Sequence, residues 1–145
     1  MDSSIINNDT ILNAVVRVEV HNVQFDWIEP YKNVASYRSV GTGFFINSTE
    51  ILTCAHVIDK AIRIWVYLPT DNSNKIETKV KSICPSRDIA LLEPINYKSK
   101  NFLHFDNSDK IKYGIPVIAI GYPMGQTGIK FTQGVLSGRH KQYLQ

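Results

Sequence analysis

Two residues whose side chains can hold or transfer a proton stand at the ends of short apolar segments. His56 lies just past the segment that begins at Ile51, and Asp88 directly precedes the apolar residues 89–92. In nucleophilic catalysis a histidine acts as the base, and a carboxylate holds its ring in the required tautomer. If the two segments are neighbouring strands, their ends bring these side chains together. The spacing therefore predicts a base–carboxylate pair.

The segments around this pair have the two-residue period of half-buried β-strands. Near the start, Val16, Val18 and Val20 alternate with polar residues. Strands are predicted at about residues 16–21, 42–47, 50–54, 62–68, 76–81, 88–92, 115–120 and 129–137. A helical turn is predicted over 55–60, a loop over 27–39 and a turn over 69–74. Short strands separated by turns, with little helical period, favour an all-β barrel or sandwich.

The composition is that of a soluble globular protein. The chain has 145 residues, 43% of them hydrophobic and 20% charged, and its formal charge is 16 − 13 = +3. The basic residues are scattered, which predicts no nucleic-acid partner. Residues 1–9 contain no apolar run, and no stretch approaches the roughly 18 apolar residues of a membrane helix. These features predict an intracellular, cytoplasmic protein without a membrane partner.

The two cysteines, Cys54 and Cys84, are too few for a disulfide framework, and their spacing matches no metal site. No cofactor is expected.

Five short motifs, in order, resemble the trypsin-like serine proteases, and more closely their HtrA/Deg branch. They are Asn13–Val18, Gly41–Phe44, Leu52–Val57, Asp88–Leu92, and the pair Ile120–Gly125 with Thr132–Ser137. Each motif alone is weak, but all five in the family's order make a specific match over about residues 12–143. The resemblance implies a chymotrypsin-like double β-barrel and a serine endopeptidase that acts on protein or peptide substrates. It assigns the base to His56 and the orienting carboxylate to Asp88.

The run of alternating strands, interrupted by a segment rich in Asn, Lys and Ser before strands resume, divides the chain into four parts. Residues 1–11 are an N-terminal tail, 12–95 a complete first barrel that carries His56 and Asp88, 96–112 a linker, and 113–145 an incomplete second barrel.

Each candidate residue also has a simpler interpretation. His56 could be a capping or core histidine, and Asp88 could be a turn residue before a strand. The flanking motifs favour the catalytic roles for both. Cys54 stands where Deg relatives often have asparagine; a thiol nucleophile is conceivable there, but buried packing is favoured. The remaining histidines and two further aspartates are predicted at the surface: His21, His104, His140, Asp106 and Asp109.

The family's nucleophile lies in a Gly-Asn/Asp-Ser-Gly-Gly loop beyond the strand that matches Thr132–Ser137, and that loop also forms the oxyanion hole. None of the serines here has such glycine neighbours. The chain alone is therefore expected to be inactive, as a portion of an endopeptidase. The alternative is a non-catalytic remnant that acts as a binding module, but retention of both His56 and Asp88 favours the enzyme.

The second β unit, residues 113–140, is predicted to associate with other chains. Residues 115–120 are apolar on both faces, so both faces of this strand are predicted to be buried against other parts of a protein. A barrel with only its first strands leaves an open edge. Self-association, or a partner that supplies the remaining strands, is expected.

Overall fold

The computed structural model describes residues 9–24, 35–123 and 128–138, and short β-strands dominate it. In chain order the helix and strands are α1 (Asp9–Ala14), β1 (Val15–Gln24), β2 (Ala35–Phe45), β3 (Ile51–Thr53), β4 (Ala61–Leu68), β5 (Asp71–Cys84), β6 (Ile89–Pro94), β7 (Pro116–Gly121) and β8 (Lys130–Val135). Three short 3₁₀ turns lie at Ala55–Val57, Pro85–Arg87 and Ser108–Lys110. In the parts of the chain described, no helix is long and apolar enough to cross a membrane.

The first six strands close into a barrel in the order β1-β2-β3-β6-β5-β4, and every neighbouring pair is antiparallel. β1 lies between β2 and β4, so Val18 faces Gly41 on one side and Val66 on the other. Closure removes the open edges that a sheet of this size would otherwise expose. The all-β class and the six-stranded first barrel are confirmed.

The barrel interior collects the apolar residues that alternate along the strands. Those without solvent exposure include Val16, Val18, Val20, Phe45, Ile51, Val66 and Leu92. Because residues two apart share one face of a strand, the alternation in β1 places Val16, Val18 and Val20 in the core and the residues between them on the opposite face. This core fixes the ends of β3 and β6, where the candidate site lies.

Gly43 is tightly enclosed by this core. A Cβ atom added there would lie 2.8 Å from Cγ2 of Ile51 and 3.1 Å from Cγ2 of Val18. We expect Gly43→Ala to lower the free energy of unfolding by about 1–3 kcal/mol, because the neighbours must shift to make room. Denaturant titration measures it. Gly134→Ala is the matched control, since no described atom lies within 4 Å of its added Cβ; equal losses in both variants would contradict the prediction.

The structure departs from the sequence-based boundaries in several places. Helix α1 begins at Asp9, inside the predicted tail. β2 begins at Ala35, although residues 27–39 were predicted as a loop, and its first residue pairs with Gln24 of β1. Backbone pairing requires no alternation of apolar and polar side chains, so the sequence of this extension shows no two-residue period. β5 begins at Asp71, inside the predicted turn 69–74.

Several predicted features lie outside the described residues. They are most of the tail (residues 1–8), residues 27–34 of the predicted loop, the end of the Ile120–Gly125 motif, His140, and the rest of 139–145.

The predicted linker 96–112 contacts the barrel. The backbone N–H of Ser99 donates to the carbonyl of Ser48 at 2.8 Å, and that of Leu103 donates to the carbonyl of Phe45 at 2.9 Å. Phe102 packs against the core. These contacts hold the segment along the barrel, and the boundaries 12–95, 96–112 and 113–145 stay predictions.

Strands β7 and β8 form a separate two-stranded antiparallel sheet. The backbone N–H of Tyr122, just after β7, donates to Oγ1 of Thr42 in β2 at 2.8 Å and ties this sheet to the barrel. Two of its apolar residues, Val117 and Val135, are 40% and 62% exposed.

Self-association through this second sheet stays a prediction. We expect the chain to sediment as species larger than a monomer at about 100 μM, a concentration at which weak edge contacts become populated. Removal of residues 113–145 should restore monomeric behaviour. A clean monomer for the full chain at that concentration would contradict the prediction.

Candidate active site

His56 lies on the 3₁₀ turn that follows β3. Its neighbour Ala55 is 5% exposed and Ile58, just after the turn, is 4% exposed, so both fasten the turn to the core. The backbone N–H of Ala55 donates to the carbonyl of Asp88 at 3.1 Å. With these residues directed inward, the imidazole of His56 points outward and its side chain is 72% exposed.

Asp88 ends the 3₁₀ turn Pro85–Arg87 and directly precedes β6. Its backbone is in the left-handed region, with φ 55° and ψ 43°, a conformation that aspartate tolerates better than most residues. Its N–H donates to the carbonyl of Pro85 at 3.1 Å. Because Thr53 at the end of β3 pairs with Ala90 of β6, the turn after β3 and the turn before β6 lie side by side.

The carboxylate of Asp88 contacts both the ring and the backbone of His56. Nδ1 of His56 lies 2.6 Å from Oδ2 of Asp88, and the backbone N–H of His56 donates to Oδ1 at 2.8 Å. A carboxylate accepts but does not donate, so of the two neutral tautomers this contact selects the one with its proton on Nδ1. Nε2 is then the nitrogen with a free lone pair, which is the arrangement a general base requires.

Hydrogen bonding holds the pKa of Asp88 below its ordinary value. The largest cause is the backbone N–H of His56, followed by the His56 side chain, while partial burial of the carboxylate opposes the shift. Both hydrogen bonds favour the charged form of the carboxylate. Asp88 is therefore an anion next to the imidazole across the neutral pH range.

This lowered pKa predicts a pH-dependent contribution to stability. The hydrogen bonds of the Asp88 carboxylate stabilise the fold above its unfolded pKa of about 3.9, and this stabilisation is lost as the pH falls through the lower folded pKa. The difference in free energy of unfolding between wild type and Asp88→Asn should therefore shrink from neutral pH towards about pH 3. Denaturant titrations across that range measure it.

Asp106→Asn, which removes an exposed carboxylate outside the pair, controls for general loss of charge. A wild-type to Asp88→Asn difference that stays constant from neutral to acid pH would contradict the prediction.

A groove of about 260 Å³ opens beside the pair, lined by Ala55, His56, Asp59, Ile83, Pro85 and Asp88. It gives the imidazole direct access to molecules from solution.

Cys54 is exposed, so its predicted burial is wrong. The reason is the local alternation: Thr53, which is 7% exposed, points inward and donates from its hydroxyl to the carbonyl of Thr42 at 2.8 Å. Ala55 also points inward, so the intervening Cys54 points out. Ligand-type atoms of Cys54, His56 and Asp88 all lie within 4.8 Å of one another. The sequence placed Cys54 in this turn, but the direction of its side chain followed only from the structure.

The other described candidates lie away from the pair. The ring of His21 packs edge-on against Trp65, with centroids 4.3 Å apart, and that of His104 packs against Phe102 at 5.2 Å. Asp106 and Asp109 are exposed, as predicted.

Comparison with known proteins places this chain in a family. A family model described as a trypsin-like peptidase domain matches residues 41–145. The chain therefore belongs to the trypsin-like peptidase family, as the motifs around His56 and Asp88 indicate.

The similar proteins include several Do-like and DegP-like proteases, which confirms the resemblance to the HtrA/Deg branch. A putative protease Do-like 13 of Arabidopsis thaliana is 29% identical over 138 residues, covering 91% of this chain and 27% of the relative. A probable periplasmic serine endoprotease DegP-like of Buchnera aphidicola is 34% identical over 110 residues, covering 74% and 23%. The chloroplastic protease Do-like 2 of Arabidopsis thaliana is 30% identical over 142 residues, covering 94% and 22%. The chain thus spans about a quarter of the length of these relatives.

Proposed function

We propose that this chain carries the base and the orienting carboxylate of a serine endopeptidase that hydrolyses protein or peptide substrates. The observation that supports it best is the pair of hydrogen bonds from His56, one from its ring and one from its backbone, to the single carboxylate of Asp88. Two bonds to one carboxylate define the direction of the ring as well as its tautomer. A capping or core histidine needs neither.

In this proposal His56 accepts the proton of a serine hydroxyl through Nε2 as that oxygen attacks the peptide carbonyl. It then delivers the proton to the departing amine. Asp88 remains an anion throughout and stabilises the imidazolium that forms between the two steps. The exposed ring and the groove beside it supply the access that this chemistry needs.

We place the nucleophile outside the 145 residues of the chain. None of the serines within them has the glycine neighbours of the family's nucleophile loop; Ser137, for example, lies between Leu136 and Gly138. On this proposal the 145-residue chain alone does not cleave protein, because the residue that attacks and the amides that bind the oxyanion are both supplied elsewhere. A cytoplasmic location stays a prediction, since one of the similar proteins is named periplasmic and another chloroplastic.

The test is a fusion protein in which the part of the second barrel that this chain lacks, taken from a DegP-like relative and including its nucleophile loop, follows Gln145. It should cleave a labelled unfolded protein, and His56→Ala should abolish that cleavage. His104→Ala, which removes an exposed histidine whose ring packs against Phe102, is the matched control and should retain it. Cleavage that survives His56→Ala would overturn the proposal. His56-dependent cleavage by the 145-residue chain alone would show that the nucleophile lies within the chain, and would overturn that part of the proposal. If the folded fusion protein binds the labelled protein but never cleaves it, the alternative function as a non-catalytic binding module is favoured.

A further inference from the structure

Three different metal-binding side chains meet at the candidate site: a thiol, an imidazole and a carboxylate. Their ligand-type atoms, from Cys54, His56 and Asp88, all lie within 4.8 Å of one another. All three side chains reach solvent. We propose that these residues bind one divalent cation of the zinc class, and that binding separates the His56–Asp88 pair.

The ligand set fits zinc in chemistry and in reach. Thiolate sulfur, imidazole nitrogen and carboxylate oxygen are its usual protein ligands, and three of them leave the fourth tetrahedral position for water. Bond lengths of about 2.0–2.3 Å place neighbouring ligand atoms roughly 3.5 Å apart in such a site. The widest separation, at most 4.8 Å, must therefore close by up to about 1.3 Å, which rotation of exposed side chains accomplishes. A thiolate ligand selects zinc, cobalt or cadmium against magnesium and calcium.

The backbone beneath the site is already in place. The N–H of Ala55 donates to the carbonyl of Asp88 at 3.1 Å, and the pairing of Thr53 with Ala90 holds β3 against β6. Binding therefore requires movement of three side chains but no movement of strands. It also requires that the thiol of Cys54 release its proton to solvent, because the thiolate is the ligand.

Metal binding and base catalysis exclude each other at His56. If Nδ1 binds the cation, the hydrogen bond of 2.6 Å to Oδ2 of Asp88 is lost. If Nε2 binds it, the lone pair that would accept the serine proton is occupied. Either way the imidazole no longer acts as a base, so the cation inhibits hydrolysis. This consequence rests on the proposed function, whereas metal binding itself does not.

Cys54 decides whether the site exists. Without its sulfur, only an exposed histidine and a carboxylate already bonded to it would remain. The HtrA/Deg relatives often have asparagine at this position, and an amide is a poor ligand for zinc. We therefore expect the site only in chains with cysteine here.

The direct test is titration of the reduced 145-residue chain with Co²⁺, which reports thiolate ligation by a sulfur-to-metal charge-transfer band. We expect one Co²⁺ per chain, displaced by Zn²⁺. Cys54→Ser should abolish the band and weaken binding roughly 10- to 100-fold or more. Cys84→Ser is the matched control, because Cys84 is also exposed but its sulfur lies near Oγ of Ser86, at 3.5 Å, outside the cluster. It should leave the band unchanged. A band that persists in Cys54→Ser, one cation shared by two chains, or no band at all would overturn the proposal.

The inhibitory consequence is tested separately in the fusion protein described above. Zn²⁺ should suppress wild-type cleavage and should have at least roughly 10-fold less effect on Cys54→Ser, each measured against its own metal-free rate. A cobalt band without any His56-dependent cleavage would contradict the proposed function and leave the metal site standing. His56-dependent cleavage without a cobalt band would contradict the metal site and support the proposed function.

Discussion

Asp88→Asn should lower kcat for cleavage by the fusion protein about 10,000-fold, with a much smaller change in KM. Asparagine preserves the size of the side chain but can direct an amide N–H₂ at Nδ1, where the carboxylate now accepts at 2.6 Å. The tautomer with its proton on Nε2 is then favoured, and Nε2 loses the lone pair that accepts the serine proton. Substrate binding does not use this contact, so the loss should fall on kcat.

Glu77→Gln is the control for loss of one negative charge. Glu77 is an exposed residue of β5 that pairs across the strands with Trp65, away from the pair. It should leave kcat within about twofold, since surface substitutions of this kind perturb little. A loss of less than about tenfold in Asp88→Asn would mean that the carboxylate does not orient the base.

The second large effect concerns stability. Phe45→Ala should reduce the free energy of unfolding by about 3–5 kcal/mol, because it leaves a cavity in a closed barrel that cannot collapse around it. Phe45 has no solvent exposure, packs near Tyr97 with ring centroids 6.1 Å apart, and pairs with Ile51 at the start of β3. Urea titration monitored by circular dichroism measures the loss.

Phe105→Ala removes the same ring from an exposed position and serves as the matched control. Phe105 is 69% exposed, and its ring meets Phe44 edge-on at 6.3 Å. We expect a loss of no more than about 1 kcal/mol there. If both variants lost equal stability, the assignment of Phe45 to the core would be wrong.

The barrel was predictable from sequence because apolar and polar residues alternate along several of its strands. That two-residue period can be read from the sequences of β1 and β4 alone, without knowledge of the strands they pair with. The start of β2 carried no such signal, because its first residues, from Ala35, extend the ladder through the backbone. Helix α1 is only six residues long, too short to show a helical period.

The site was predictable in part, and the reason is similar. The motifs identified His56 and Asp88 as a pair, and the structure places their side chains in contact. The exposure of Cys54 depends on Thr53 and Ala55 both pointing inward, which is a property of the barrel end. The proximity of Cys54 to Asp88 depends on the position of β6 relative to β3, and no local pattern of residues predicts that position.

The left-handed backbone of Asp88 has a consequence for which substitutions the position can accept. Few residues other than glycine adopt φ 55° readily, and asparagine and aspartate are the main exceptions. The pair with His56 also requires a negative charge on a short side chain. Of the twenty amino acids only aspartate satisfies the backbone and the charge together, so position 88 has a single occupant compatible with both demands. Asparagine tests the charge with the backbone preserved, and glutamate tests the backbone with the charge preserved.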